Sequence, residues 1–130
     1  MNFTIVIQGG PYSSQASLSA LNFARAVIRG GHSIRRLFFY NDGVYNANRA
    51  ISPPQDEQDL HQAWHQFATD NSLEIIICVA SALRRGMLDS GEASRYEKQE
   101  AVVAESFEIS GLGQLIDGCL NADRVITFGP

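Results

Sequence analysis

Short, strongly apolar runs alternate along the chain with longer segments in which apolar residues recur every three or four positions. This alternation is typical of βαβ units, in which helices connect parallel strands. The expected fold class is therefore α/β, with three layers: a mainly parallel five-stranded sheet and helices on both of its faces. The predicted strands are Phe3–Gln8, Ile34–Tyr40, Leu73–Cys78, a short Phe107–Ser110, and Arg124–Phe128.

The segments between the strands have helical periodicity. Apolar residues in the first segment recur at helical spacing, and Gly30-Gly31 provides a stop. In the second, the apolar stripe of Leu60, Trp64 and Phe67 follows Pro54, a residue suited to a first helical turn. The predicted helices are Ser14–Arg29, about Pro54–Asp70, a third that begins just after Cys78, roughly Gly91–Glu105, and Gly113–Leu120.

The composition is that of one compact domain over residues 1–130. Because 45% of the residues are hydrophobic and 18% are charged, the chain can bury a full core without a disulfide or a metal. Two cysteines and a start without a secretory pattern indicate free thiols in a reducing compartment, and no run approaches the ~20 apolar residues of a membrane span. A net charge of −4 disfavours direct binding of nucleic acid. We expect a cytoplasmic protein without a membrane partner.

Cys78 ends the most apolar run of the chain and stands immediately before a predicted helix. A strand that delivers a cysteine to the first turn of a helix places its sulfur near unpaired backbone N–H groups and the positive end of the helix dipole, which favour the thiolate. This placement suggests thiol chemistry. The alternative is a structural role, because a free cysteine often acts as a small buried apolar residue.

Ligands of an open parallel sheet bind where the loops at the carboxyl ends of the strands meet. Three loops are expected there: residues 9–14, residues 41–48 and the segment that begins at Cys78. The first two also match ordinary turn and helix-capping sequences, so a purely structural role stays open for each.

Aromatic and basic residues flank these loops. Tyr12, Tyr40 and Tyr45 are expected either to wall a pocket around the cysteine or to pack between subunits. At most one of Arg84 and Arg85 can turn toward the sulfur, because they are adjacent on a predicted helix. The alternative for these arginines is a solvated charge or a contact between subunits.

Four motifs lie along the chain: Gly10-Pro11-Tyr12, Phe38–Tyr40 continuing through Gly43–Asn48, Cys78–Gly86, and Ser110–Gly113. Together they resemble the DsrE/TusD family of sulfurtransferases from bacterial sulfur-relay systems, and the resemblance extends over the whole chain. It implies a DsrE-like, flavodoxin-like fold. A departure is the first loop, where this chain has Gly9-Gly10 and Ser13-Ser14 and relatives often carry a bulkier residue or a glycine-threonine pair.

This resemblance implies a sulfurtransferase subunit in which Cys78 is the catalytic residue and carries sulfur as a persulfide; related non-catalytic subunits generally lack this cysteine. It implies no cofactor. The implied partners are two related DsrE-family subunits in a heterohexamer, an upstream persulfide donor, and a TusE/DsrC-like acceptor protein with a cysteine in its tail. Two pathways stay open: 2-thiolation of the wobble uridine in transfer RNA, which we favour, and oxidation of stored sulfur.

The remaining patterns are weaker. Cys119 precedes the last strand, so it is expected at the amino ends of the strands, where it would form no disulfide with Cys78. His61 and His65 have the i, i+4 spacing of helical metal ligands, extended by Glu57, but no further ligand pattern accompanies them, and no metal is expected.

Two other classes of protein fit the fold. One is a structural subunit without catalysis, which the presence of Cys78 disfavours. The other is a flavin-binding, flavodoxin-like module. The first loop disfavours it, because that loop lacks a phosphate-cradling Ser/Thr/Gly-rich pattern of convincing length. Neither the phosphate-loop pattern with its lysine nor the dinucleotide glycine pattern follows the first strand, which also disfavours nucleotide chemistry.

Overall fold

The computed structural model describes all residues from Met1 to Pro130. Five parallel strands form one sheet in the order β4-β3-β2-β1-β5. The predicted α/β class is confirmed, and all five predicted strands are present with ends that lie within two residues of the predicted ones. They are β1 (Asn2–Ile7), β2 (Ser33–Phe39), β3 (Ile75–Cys78), β4 (Phe107–Ser110) and β5 (Arg124–Phe128).

Five α-helices and one 3₁₀ helix connect the strands. The longest helix has 14 residues, and none has the length and apolar character needed to cross a membrane. The helices are α1 (Ala16–Arg29), the 3₁₀ helix (Asn41–Ala47), α2 (Leu60–Asp70), α3 (Val79–Arg84), α4 (Ser90–Arg95) and α5 (Gly113–Leu120).

Two predicted helix boundaries are wrong. Helix α2 begins at Leu60 and not near Pro54, because the side chain of Asp59 accepts a hydrogen bond from the Gln62 N–H and caps the helix there. Helix α4 begins at Ser90 and ends at Arg95, not at Glu105.

The early end of α4 has a local cause. Glu97 adopts a left-handed conformation with φ of 57°, which a right-handed helix cannot contain. The chain beyond it is irregular, and Val103 forms an isolated antiparallel bridge with Asn48. The segment after α4 therefore packs against the loop that follows the 3₁₀ helix.

The two faces of the sheet are covered unequally. Alternate strand residues point to opposite faces, and one set, which includes Phe39 and Ile77, joins the main core of 21 buried residues with α1, α2 and α3. Within this core the ring of Phe39 lies 5.1 Å from that of Trp64, edge to face. The other set meets only α5. Its buried cluster consists of Phe38, Ile76 and Cys78, with Tyr40 and Leu115 packed against it.

Candidate functional site

Cys78 is the last residue of β3 and stands immediately before α3, as the sequence predicts. Its ladder partner at the carboxyl end of β4 is Ser110. The side chain lies on the α5 face of the sheet with that of Ile76, and only 1% of the residue is exposed to solvent. The thiol therefore belongs to the smaller core, against which Tyr40 and Leu115 pack.

The thiol makes no hydrogen bond to the helix that follows it. Cys78 occupies the N-cap position of α3, yet its side chain accepts no hydrogen bond from the first turn. The expected contact between the sulfur and the N–H groups of the helix is therefore not formed. Helix α3 lies on the opposite face, where its Ala82 joins the main core. The sulfur has an apolar environment.

The three loops predicted to meet at the carboxyl ends of the strands do meet there. The backbone N–H of Asn41 donates to Oγ of Ser81 in α3, at 3.1 Å. The side-chain amide of Asn46 donates to the carbonyl oxygens of Gly9, at 3.1 Å, and Gly43, at 2.9 Å. These bonds connect the loop after β1, the 3₁₀ helix and the start of α3 into one unit.

Asn46 is the centre of a buried polar network that the sequence analysis did not identify. Its Oδ1 accepts a hydrogen bond from Ser17 Oγ at 2.6 Å, and that hydroxyl accepts from Trp64 Nε1 at 3.0 Å. The carbonyl oxygen of Asn46 lies 2.8 Å from Nδ1 of His61, whose ring stacks on Phe107. His61 is therefore part of the packing behind the loops. The sequence feature that could have indicated this network is the position of Asn46, an amide residue, within the predicted loop of residues 41–48.

Tyrosines near the loops have different roles. The hydroxyl of Tyr12 donates to the carbonyl oxygen of Gln58 at 2.7 Å and accepts from the Leu60 N–H at 3.0 Å, so it fixes the start of α2. Tyr45 is partly exposed beside Gly10. Only Tyr40 packs against the Cys78 cluster. One of the three predicted wall residues thus contacts the thiol site.

Arg84, the last residue of α3, and Arg85, which follows it, make different contacts. Arg85 donates from Nε to Oδ1 of Asp42 at 2.8 Å and from Nη1 to the carbonyl oxygen of Ser81 at 3.1 Å. It therefore ties α3 to the 3₁₀ helix. Arg84 is exposed and lines a surface cavity of about 390 Å³ with Lys98 and Tyr96.

Helix α5 is held to the sheet by polar contacts at its carboxyl-terminal half. Asp117 accepts hydrogen bonds at 2.9 Å from Arg36 and from Arg35. These bonds lower the pKa of the Asp117 carboxyl below its usual 3.8, and the bond from Arg36 has the larger effect. Thr4 Oγ1 donates to the carbonyl oxygen of Gly118 at 2.8 Å. A side chain at Gly118 would collide with Thr4 and Arg36, so glycine allows this close approach.

Cys119 follows Gly118 and is exposed. Because Gly118 packs on Thr4 in the first half of β1, this cysteine lies toward the amino ends of the strands. Cys78 lies at the opposite, carboxyl end of β3. The two thiols are therefore placed as the sequence predicts, at different ends of the sheet.

Apolar residues form an exposed stripe on α5. Leu112, Ile116 and Leu120 are spaced four residues apart and are 47%, 58% and 78% exposed, respectively. Residues at this spacing share one side of a helix. Val125 of the edge strand β5 is also exposed, which adds apolar surface on the same face of the sheet.

Taken together, the topology and the thiol define a parallel α/β domain with one buried cysteine at the carboxyl edge of its sheet. The chain belongs to the DsrE/DsrF-like family, whose model matches residues 1–128. The resemblance inferred from the sequence motifs is thereby confirmed.

Similar proteins match along nearly their whole lengths. The chain is 46% identical over 129 residues to a DsrE protein of Allochromatium vinosum, and the match covers 99% of each chain. It is 45% identical over 128 residues to the sulfurtransferase TusD of Cronobacter sakazakii, with 98% of this chain and 100% of the relative covered. The crystal structure of the ychN protein from E. coli shares the fold, with a TM-score of 0.77, 24% identity and coverage of 98% and 99%.

Proposed function

We propose that this chain is a sulfurtransferase subunit that carries sulfane sulfur as a persulfide on Cys78 and passes it to a cysteine of an acceptor protein. The observation that carries this proposal is the position of Cys78 at the carboxyl end of β3, where the loops that follow β1, β2 and β3 meet. Full-length similarity to proteins named sulfurtransferase TusD supports the same activity.

The proposed transfer consists of two exchanges at sulfur. The thiolate of Cys78 attacks the outer sulfur of a donor persulfide; a new S–S bond forms, the donor's S–S bond breaks, and the donor cysteine leaves as a thiolate. The acceptor thiolate then attacks the outer sulfur on Cys78, and Cys78 leaves as a thiolate. Each step forms one S–S bond and breaks one, so no external oxidant or reductant is needed.

Intact-mass spectrometry after exposure to a persulfide donor tests this proposal. The wild type and Cys119→Ser should each gain one sulfur atom that a reductant removes, whereas Cys78→Ser should gain none. Cys119→Ser is the matched control because it removes the exposed thiol and leaves the buried one. A folded wild type that gains no sulfur on Cys78 would leave the non-catalytic structural subunit as the better description.

The proposed destination of the sulfur is the 2-thiolated wobble uridine of transfer RNA, in a cytoplasmic relay. The name TusD of several relatives supports this route, and the DsrE relative supports the alternative relay in sulfur oxidation. In a bacterium that lacks its own TusD, the wild-type chain should restore 2-thiouridine in transfer RNA and Cys78→Ser should not. Failure of the wild type in the presence of the matching partner subunits would favour the oxidation relay.

The proposed assembly is a heterohexamer with two related subunits, which receives sulfur from an upstream persulfide donor and delivers it to a TusE/DsrC-like acceptor. Exposed apolar side chains beyond the first half of α5, Leu120 on that helix and Val125 on β5, support the need for partner subunits, because exposed apolar surface of this kind is typical of interfaces. Co-expression with both related subunits should give one defined complex by light scattering. A stable monomer under those conditions would contradict this assembly.

A further inference from the structure

We propose that the first half of α5 is a lid over Cys78, which opens while the second half of the helix stays attached to the sheet. This inference rests on the proposed function, because a sulfur that exchanges between proteins must be reached by partner thiols. In the closed form Cys78 is 1% exposed, and no donor or acceptor sulfur can approach it.

Two side chains, those of Tyr40 and Leu115, pack against the small cluster that contains Cys78. Tyr40 is held firmly by its backbone: its N–H donates to the Ile7 carbonyl oxygen at 2.9 Å, and its carbonyl oxygen accepts from the Gly43 N–H at 2.8 Å. The 3₁₀ helix that follows is fixed by the Asp42–Arg85 ion pair. The backbone that carries Tyr40 is therefore fixed to the rest of the domain.

Leu115 is attached differently. It lies in the first turn of α5, and residues 111–113 supply the sequence Gly-Leu-Gly between β4 and the helix. No protein atom outside the immediate neighbours lies within 4 Å of where a side chain would stand at Gly111 or Gly113. The backbone N–H groups of Gln114 and Ile116 donate to the carbonyl oxygens of Gly111 and Leu112, respectively, so these bonds stay within the segment. The two glycines give the backbone at this end of the helix more conformational freedom than other residues would.

The other half of α5 is attached to the sheet by side-chain and backbone bonds. Asp117 bonds to Arg35 and Arg36, and Gly118 accepts a hydrogen bond from Thr4. Because these bonds are all at one end, the amino-terminal turn can lift without breaking them. The hinge of the lid is therefore near Asp117, and the mobile part is the first turn of α5, which carries Leu115.

The rate at which a small alkylating reagent modifies Cys78 in the full-length chain tests the lid, in a Cys119→Ser background that removes the exposed thiol. Leu115→Ala shortens the cover and should speed modification about ten-fold, because it removes apolar contacts made only in the closed form. Ile116→Ala is the matched control: it lies on the exposed side of the same helix and should change the rate less than about two-fold.

Replacing the two glycines by alanine should have the opposite effect on the rate at which Cys78 is modified. Neither Gly111 nor Gly113 has a positive φ, and both sites have room, so alanine fits there and reduces the freedom of the open form. Gly111→Ala combined with Gly113→Ala should slow modification by about two- to five-fold for each substitution. This variant keeps the proposal testable even if Leu115→Ala loosens the fold.

Dependence on denaturant separates the lid from global unfolding. Local opening exposes little surface, so modification of Cys78 should respond weakly to low concentrations of urea. A rate that equals the rate of global unfolding and rises steeply with urea would overturn the lid, as would glycine variants that leave the rate unchanged.

The outcome of this test is separate from that of the proposed function. Normal loading of sulfur with no effect of Leu115→Ala or of the glycine variants on alkylation would reject the lid alone. Alkylation that responds to the lid variants, with no loading of sulfur on Cys78, would reject the carrier function alone.

Discussion

The two faces of the sheet differ in the number of helices and buried residues that cover them, and only one of them contains Cys78. One is buried beneath α1, α2 and α3 in a cluster of 21 buried residues, with Phe39, Trp64 and Phe107 packed edge to face. The other is buried beneath a single helix of eight residues in a cluster of three, one of which is Cys78. The face with the larger cluster contains most of the buried apolar core, and the face with the smaller cluster contains Cys78.

For the sulfur transfer proposed above, this difference provides a way in which partner thiols could reach a buried cysteine. A group inside the main core is exposed only when the domain unfolds, whereas a group beneath one short helix can be exposed by a local opening. The backbone that positions Cys78 belongs to the rigid part, since β3 pairs with both β2 and β4. Position and access are therefore controlled by different parts of the molecule.

The largest expected effect comes from truncating the same residue type on each face. Phe38 and Phe39 are adjacent in β2, and neither is exposed. Phe39→Ala should lower the free energy of unfolding by about 3–5 kcal/mol, because the main core cannot collapse around the cavity. Phe38→Ala should cost about 1 kcal/mol less, since α5 can move toward the sheet and fill part of the space. Urea denaturation of both variants measures the difference.

Equal losses in the two variants would mean that the faces are equally rigid, which contradicts the comparison. An increase in Cys78 alkylation is expected only for Phe38→Ala, because only Phe38 belongs to the cluster around the thiol. A similar increase for Phe39→Ala would indicate that the faces open together.

The sequence predicted the strands, the order of helices and the location of Cys78, because the apolar runs and periodic segments determine these features directly. It did not predict which face the thiol would occupy. In Ile75–Cys78 every residue is buried, so no alternation of polar and apolar residues distinguishes the two sides. The orientation follows from tertiary packing, in which Ile75 and Ile77 join the larger core.

The two incorrect helix boundaries have a related cause. Propensity and spacing allow α2 to begin at Pro54 and α4 to continue to Glu105, but capping and long-range contacts decide where each helix begins or ends. Asp59 supplies the cap of α2, and Val103 pairs with Asn48 beyond the end of α4. Such contacts between distant residues are not visible in local periodicity.

A smaller effect on the free energy of unfolding is expected from removing a polar contact, either among the loops or beneath α5. Asn46 is fully buried, and its side chain makes three hydrogen bonds. Asn46→Ala should lower the free energy of unfolding by about 2–3 kcal/mol, because it leaves the carbonyl oxygens of Gly9 and Gly43 without their donor. Thr4→Val is the matched variant under α5: it removes one bond, to Gly118, and should cost about 1 kcal/mol. Thermal or urea denaturation compares them.

The opposite ranking, with Thr4→Val the costlier change, would show that α5 is held more tightly than the loops around the 3₁₀ helix. That result would also weaken the distinction between a rigid and a mobile part of the thiol site.

The smallest expected effect is a dependence on pH at the hinge of α5. The pKa of Asp117 is lowered by hydrogen bonds from Arg36 and Arg35, so the folded protein binds a proton there less readily than the unfolded chain. The ion pair therefore stabilises the fold fully above the ordinary pKa of 3.8, and this contribution is lost as the pH falls through the lowered value. The free energy of unfolding of the wild type minus that of Asp117→Asn should be constant near neutral pH and should shrink below pH 3.8. Glu74, the other carboxylate that contacts Arg36, is present in both proteins, so the difference between them isolates Asp117. A difference that stays constant at low pH would mean that hydrogen bonds independent of charge hold this end of α5, and the hinge would then be equally firm in acid.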